Sequence, residues 1–181
     1  YEKVLKFLKS FLEQGLACVP ISVNFSRLHL MDSDFLSKIV KKQCEYGVPA
    51  HLIEIELTES AIFDNIDTIY AFTRKMHANG FAIAMDDFGS GYANLNTVMQ
   101  LPFSVIKLDR SLLFHICTDE RAASFYQSVV STFQHMGYRI ISEGVETESE
   151  MELLSSWGVD MIQGYYFSRP LPPEELLKLL G

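Results

Sequence analysis

The chain has 181 residues, of which 48% are hydrophobic and 21% charged, so it has enough apolar side chains to form a core and is not intrinsically disordered. Lysine and arginine number 15 against 23 acidic residues, and the resulting net charge of −8 disfavours binding to a long nucleic acid. Polar residues interrupt the apolar runs well before the roughly 18 residues of a membrane span, so we expect no direct membrane insertion.

Glycines divide the chain into alternating helical and extended segments. Five of them each end a stretch of helical periodicity, where a residue with positive φ commonly terminates a helix: Gly15, Gly47, Gly80, Gly137 and Gly158. In chain order, we predict helix 1–14, strand 16–25, helix 34–46, strand 50–58, helix 65–79, strand 81–87, helix 92–100, strand 102–108, helix 120–136, strand 139–143, helix 148–157, strand 159–166 and helix 173–180. The spacing of Thr147 and Glu150 predicts a capping box on helix 148–157.

The alternation of strands and helices predicts a parallel α/β fold. The length suits an open, doubly wound sheet of six strands, because a (β/α)₈ barrel usually takes about 250 residues. Two features favour the barrel. The chain begins with a helix that no strand precedes, and polar residues stand at the carboxyl end of strand after strand, as around a barrel rim. We therefore predict a (β/α)₈ TIM-type barrel, truncated at its N-terminus, with about six strands in one domain over residues 1–181.

The ends of the predicted strands carry side chains that can bind metal ions or take part in catalysis. They are Asn24, Glu56, Glu59, Asp86, Asp87, Lys107, Asp109, Glu143, Glu146 and Gln163. Strand ends of a barrel share one rim, so we expect several carboxylates to converge. Two unit charges about 4 Å apart repel by on the order of 4 kcal/mol at an effective dielectric near 20, and Lys107 alone compensates too little.

Bound cations are one way to compensate such a cluster, and protonation is the other. Oxygen ligands without Cys or His favour hard ions such as Mg²⁺ or Mn²⁺. The adjacent Asp86 and Asp87 suggest two ions roughly 3.5–4 Å apart, an arrangement suited to phosphoester hydrolysis. Lys107 is then placed to orient or polarise the attacking water.

Six segments resemble, in the same order, the motifs of the EAL domain, the cyclic di-GMP phosphodiesterase module of bacteria. They are SVNFS with Asn24, ELTES with Glu56, DDFGSGYANL with Asp86 and Asp87, IKLDRS with Lys107, SEGVE with Glu143, and IQGYYFSRPLP with Gln163. The resemblance covers nearly the whole chain. It implies a (β/α)₈ barrel that hydrolyses cyclic di-GMP to pGpG with two Mg²⁺ or Mn²⁺ ions.

The resemblance also implies roles for individual residues. The metal ligands are Asn24, Glu56, Asp86, Asp87 and Glu143, with Asp86 bridging the two ions. Catalytic roles fall to Glu56, Asp86 and Lys107. A supporting set consists of Gln163 and Glu146, together with Glu59, which holds the DDFGSG loop.

The Glu-Ala-Leu signature of the family, which carries a further metal ligand, belongs upstream of Asn24 and is absent from the 181 residues. We therefore expect upstream domains in a longer protein, weak or no hydrolysis by this chain alone even with Mn²⁺, and recovery when that segment is restored. One alternative is a non-catalytic module that binds cyclic di-GMP or regulates another domain. Another is a dimerisation unit, since the resembled family commonly pairs through barrel helices, and a homodimer is consistent with either function.

The three cysteines are Cys18, Cys44 and Cys117, which show neither a disulfide framework nor the spacing of a zinc site. This cysteine usage suits a reducing compartment, so we expect a cytoplasmic location. Other domains of the parent protein could still tether it to a membrane.

Overall fold

The computed structural model describes residues 1–30, 34–58, 66–91 and 95–180, together with the single residues 32 and 61. The described chain forms two compact units, Tyr1–Ile106 and Lys107–Gly181. Among the described helices, none is long and apolar enough to cross a membrane.

The first unit contains five helices and three complete strands among its described residues. The helices are α1 (Glu2–Glu13), α2 (Arg27–Leu30), α3 (Phe35–Tyr46), α4 (Ile66–Ala78) and α5 (Leu95–Gln100). The strands are β1 (Ile21–Asn24), β2 (Ile53–Thr58) and β3 (Ala82–Phe88), and β4 (Val105–Leu108) begins in this unit.

Strands β1, β2, β3 and β4 lie side by side in chain order. The pairing is parallel, with Asn24 opposite Glu56 and Thr58 opposite Asp86. The Ser104 amide, just before β4, donates a hydrogen bond to the Ile83 carbonyl at 2.9 Å. Because side chains alternate between faces along a strand, the even-numbered residues of β1–β3 share one face, which is rich in polar groups.

The other face of these strands is apolar and buried, with Ile53, Ile55, Leu57 and Ile83 at its centre. Helix α4 packs against β3, and α1 packs against α3. The start of α1 is tied to α3 by polar contacts of Glu2, whose carboxylate accepts a hydrogen bond from the Tyr46 hydroxyl at 2.8 Å and pairs with Lys42 at 3.0 Å. The Tyr46 hydrogen bond, followed by that of Lys42, lowers the pKa of Glu2 to about 2.

The second unit contains helices α6 (Glu120–His135), α7 (Glu148–Ser156) and α8 (Pro173–Leu180), the rest of β4, and strands β5 (Arg139–Ser142) and β6 (Met161–Ile162). Strands β4, β5 and β6 again follow chain order, and β5 pairs with β6 in parallel. Helix α6 packs on β5. Its buried Tyr126 hydroxyl donates to the Ser142 hydroxyl at 2.7 Å, and burial raises the Tyr126 pKa to about 12.

The strand order decides between the two predicted architectures. A doubly wound sheet reverses its strand order at a switch point, whereas barrel strands follow one another in sequence. Each unit places consecutive strands next to each other without a reversal. The barrel prediction therefore fits the topology, and the open doubly wound sheet does not.

The predicted helices lie close to the observed ones where the structure describes them, but several predicted strands are too long. Pro20 has no amide hydrogen to donate, and strand 16–25 shortens to Ile21–Asn24 after it. Residues Ala50–Leu52 form a 3₁₀ turn before β2. Strand 159–166 shortens to Met161–Ile162, and the short α2 was not predicted.

The predicted boundary signals are confirmed. The five glycines expected to end helices all have positive φ, and Gly47 caps α3 in the left-handed conformation. Thr147 and Glu150 form the predicted capping box at the start of α7.

Candidate active-site residues at the strand ends

The end of β1 and the facing part of β2 hold the first pair of predicted site residues. Asn24 donates its side-chain N–H to a carboxylate oxygen of Glu56 at 2.8 Å. Glu56 is 4% exposed, whereas Asn24 is exposed. Parallel register places the two residues directly opposite each other, so their hydrogen bond follows from strand pairing. The contact helps to fix the buried carboxylate, with the Asn24 side-chain N–H as its donor.

One layer further from the strand ends, a similar contact recurs. Ser22 donates its hydroxyl to Glu54 at 2.9 Å, and Glu54 is also 4% exposed. Sequence reasoning missed this second buried glutamate. The alternation of Glu54 and Glu56 opposite Ser22 and Asn24 was the available signal, because residues two apart on a strand share a face.

The end of β3 carries Asp86 and Asp87. Asp86 lies opposite Thr58 on the polar face that also holds Glu56, and it is 8% exposed. Asp87 has a φ of +59°, a left-handed conformation that aspartate tolerates better than most residues. The Asp87 carbonyl accepts a hydrogen bond from the Ser90 amide at 3.0 Å. The left-handed Asp87 and this hydrogen bond therefore lead β3 into a turn over residues 87–90, just after the buried aspartate.

In the second unit, the ends of β4 and β5 bring Lys107 and Glu143 together. The lysine ammonium and the glutamate carboxylate are 2.7 Å apart, and their side chains are only 6% and 17% exposed. The Glu143 amide donates to the Leu108 carbonyl at 3.1 Å, which continues the pairing of β5 with β4. A lysine and a glutamate this well shielded are held in a defined geometry.

The loop 143–147, which joins β5 to α7, lines a cavity of about 310 Å³. Glu146 pairs with Arg110, which follows β4, and Gln163 borders the same cavity just after β6. The hydrogen bond to Glu146 raises the pKa of Arg110. Arg110 was not among the predicted site residues, although its position directly after the strand-end residue Asp109 could have indicated it.

The two units thus place most of the predicted residues at strand ends. In the first, Asn24 and Glu56 are in contact, and Asp86 and Asp87 lie near the end of the neighbouring strand β3. In the second, Lys107 contacts Glu143, and Glu146 and Gln163 line one cavity. Glu59 lies outside the described residues.

The predicted ligand set consists of Asn24, Glu56, Asp86, Asp87 and Glu143, whose side chains offer carboxylate and amide oxygens. Oxygen donors of this kind fit Mg²⁺ or Mn²⁺ and do not favour zinc or copper. The donor chemistry therefore agrees with the predicted cofactor class.

A comparison with protein families matches residues 1–170 to the model described as "EAL domain". Among curated proteins, cyclic di-GMP phosphodiesterase PA2567 of Pseudomonas aeruginosa is 33% identical over 156 residues, which are 86% of this chain and 27% of that protein. The bifunctional diguanylate cyclase/cyclic di-GMP phosphodiesterase MucR of the same organism is 30% identical over 97% of this chain and 26% of its own length. The chain thus spans about a quarter of these relatives.

Solved structures give the same result for the fold. The MucR phosphodiesterase in complex with c-di-GMP has a TM-score of 0.88 and 28% identity, over 97% of this chain and 71% of that chain. Klebsiella pneumoniae BlrP1, solved with cyclic di-GMP and either calcium or manganese, has a TM-score of 0.83 and 24% identity, over 93% of this chain and 42% of that chain. The predicted (β/α)₈ TIM-type fold with about six strands present is therefore confirmed.

Proposed function

This chain belongs to the EAL domain family, and on that premise we propose that it hydrolyses cyclic di-GMP to pGpG by a two-metal mechanism, with impaired activity in this chain alone and full activity once the upstream segment with the Glu-Ala-Leu signature is restored. PA2567 and MucR are named as cyclic di-GMP phosphodiesterases, and the solved MucR complex contains that nucleotide. The observation that carries the proposal is the set of shielded acids and one shielded lysine at the strand ends of an EAL chain.

The proposed cofactors are two Mg²⁺ or Mn²⁺ ions. We assign their ligands as Asn24, Glu56, Asp86, Asp87 and Glu143, with Asp86 as the bridging residue. When bound, such a pair of ions lowers the pKa of the attacking water and stabilises charge on the phosphate. The Asn24–Glu56 hydrogen bond supports the assignment, because it uses the Asn24 N–H and leaves the carbonyl oxygen, the atom that binds cations, as acceptor.

The catalytic roles proposed for Glu56, Asp86 and Lys107 follow from their shielding. Glu56 and Asp86 are buried acceptors whose charge is little screened by water. Lys107 presents an ammonium group with three donor hydrogens, and Glu143 fixes its position. We assign Lys107 to orient the attacking water and to offset the charge of the phosphate.

The supporting residues act through others. Glu146 and Gln163 line the cavity beside Glu143, and we assign them to hold the strand ends around it. For Glu59 we keep the role implied by its motif, which is to hold the loop that follows Asp87. We further propose a cytoplasmic location, a homodimer, and a place among other domains of a longer protein, in keeping with the quarter of its relatives that the chain spans.

Asp86→Asn tests the proposed function, because it keeps the volume of the side chain and removes its charge. Hydrolysis is measured in the chain extended upstream through an E-x-L segment, as pGpG released with Mn²⁺ or Mg²⁺ and resolved by anion-exchange chromatography. We expect Asp86→Asn to lose more than about 100-fold in activity, beyond what changes around a metal ligand usually cost. The matched control is Asp67→Asn on the exposed side of α4, which should remain fully active.

The same assay separates the rival function. Binding of cyclic di-GMP without release of pGpG, both in this chain and in a version extended upstream through an E-x-L segment, supports the non-catalytic binding module. Full activity of Asp86→Asn contradicts the bridging assignment.

A further inference from the structure

The loop 143–147 is held in place by its neighbours in the second unit. Gly144 has a φ of +75°, and a Cβ built on it would lie 2.6–2.8 Å from the side-chain carbons of Arg110, so the arginine stem covers the loop. The Val145 amide donates to the Gln163 carbonyl at 3.1 Å, and the Val145 carbonyl accepts from the Tyr166 amide at 3.0 Å. The backbone next to Glu143 therefore has little freedom to shift.

Two charged residues, Arg110 and Glu150, form hydrogen bonds with the C-terminal end of the same loop. The Arg110 guanidinium donates to the Glu146 carboxylate. The Glu150 carboxylate accepts from the backbone N–H groups of Glu146 and Thr147, both at 3.0 Å. Glu146 is thus held by its side chain from one direction and by its backbone from another.

These contacts connect the loop to the strand that carries Lys107. Arg110 begins the 3₁₀ turn Arg110–Leu113, three residues after Lys107, and Glu143 begins the loop that Arg110 covers. Arg110 therefore ties together the two segments whose side chains form the Lys107–Glu143 ion pair.

We propose that Arg110 and Glu150 are positioning residues, which hold the loop 143–147 so that the Glu143 carboxylate keeps the orientation needed to bind a divalent cation. The inference rests on the proposed function, because it assumes that Glu143 is a metal ligand. Neither residue needs to touch substrate or metal for this role. Groups that orient a metal ligand commonly contribute 10–100-fold to metal affinity, which sets the size of the expected effect.

The experiment titrates the protein with Mn²⁺ alone, by calorimetry, and measures amide hydrogen exchange in the loop. Arg110→Ala and Glu150→Ala should each weaken Mn²⁺ binding by about 10-fold and speed amide exchange at Glu146 and Thr147. Glu150→Gln keeps an acceptor for both backbone N–H groups, as capping boxes permit, and should stay within about threefold of the unchanged protein.

Two further variants keep the test specific. Arg110→Lys keeps the charge but loses the forked geometry, so we expect an intermediate Mn²⁺ affinity. Arg121→Ala, at an exposed position on α6, is the matched control and should leave Mn²⁺ binding unchanged.

The outcomes separate the inference from the proposed function. If the unchanged protein binds Mn²⁺ and releases pGpG, but Arg110→Ala and Glu150→Ala bind Mn²⁺ equally well, the positioning role is wrong and the proposed function stands. If neither the unchanged protein nor its version extended upstream through an E-x-L segment binds Mn²⁺, both are wrong. A 10-fold loss that is recovered in Glu150→Gln supports the positioning role.

Discussion

The shielded pair of Lys107 and Glu143 gives the sharpest test of the site in the second unit. Lys107→Met keeps most of the side-chain volume and removes the ammonium, which lies 2.7 Å from the Glu143 carboxylate. At an effective dielectric near 20, unit charges at that distance attract by about 6 kcal/mol, but most of this offsets the cost of removing both groups from water. Removing one partner of a buried ion pair commonly costs about 3–5 kcal/mol.

For a chain of this length, each kcal/mol lost from the free energy of unfolding lowers the Tm by about 2–4 °C. Lys107→Met should therefore unfold about 6–20 °C below the unchanged protein. The assays are thermal unfolding by circular dichroism, and release of pGpG by the chain extended upstream through an E-x-L segment. The double variant Lys107→Met/Glu143→Leu replaces the pair by apolar groups and should recover much of the lost stability, because both charges are then gone. Neither variant should hydrolyse cyclic di-GMP at more than about 1% of the normal rate, since an acid–base or orienting group contributes about 10²–10⁴-fold.

The reasoning is refuted by a specific result. If Lys107→Met unfolds within about 1 °C of the unchanged protein, and a double-mutant cycle with Glu143→Leu gives a coupling below about 0.5 kcal/mol, the pair is not a strong buried ion pair. If Lys107→Met retains full activity, the catalytic role of Lys107 is wrong as well.

Three other predictions concern single contacts. Gly164→Ala should unfold the second unit at a much lower temperature, because its Cβ would overlap the backbone of Val145, which cannot move aside cheaply; an unchanged Tm contradicts this. Tyr126→Phe removes the buried hydrogen bond to Ser142 and should cost about 1–3 kcal/mol in urea unfolding, whereas a stability gain would contradict it. Because the folded-state pKa of Glu2 is lowered from 4.5 to about 2, its contribution to stability is present above about pH 4.5 and is lost towards pH 2. The Tm difference between the unchanged protein and Glu2→Gln should therefore be larger at pH 6 than at pH 3, and an equal difference would contradict the shift.

The sequence permitted a correct prediction of the fold because its signals are local. Glycines with positive φ mark helix ends, and the Thr147–Glu150 spacing marks a helix start, so both depend on residues that are close in the chain. Strand lengths were predicted less well. Strand pairing stops where a proline lacks its N–H, as before β1, or where the chain turns, as after β6. The run of apolar residues in the sequence extends beyond these points, so the predicted strands were too long.

The sequence predicted only those contacts within the site that follow from the positions of residues at the strand ends. Asn24 and Glu56 meet because parallel register places them opposite each other, and the strand-end rule anticipates that. The Arg110–Glu146 pair joins residues 36 positions apart, and it depends on the course of two loops. Loop geometry of this kind has no periodic signal in the sequence, so the role of Arg110 becomes visible only in the structure.

The polar face of the first unit is costly to the fold, and that cost is itself an argument for function. Glu54, Glu56 and Asp86 are 4%, 4% and 8% exposed, and burying an ionised carboxylate costs several kcal/mol unless hydrogen bonds or opposite charges compensate it. Hydrogen bonds from Ser22 and Asn24 offset part of this cost. Apolar residues at the same positions would pack without this desolvation cost, as Ile53 and Ile55 do on the opposite face. Selection for stability alone therefore does not explain these acids. For Glu56 and Asp86, the proposed requirement for oxygen ligands at the strand ends does, because proteins commonly trade stability for function at such sites.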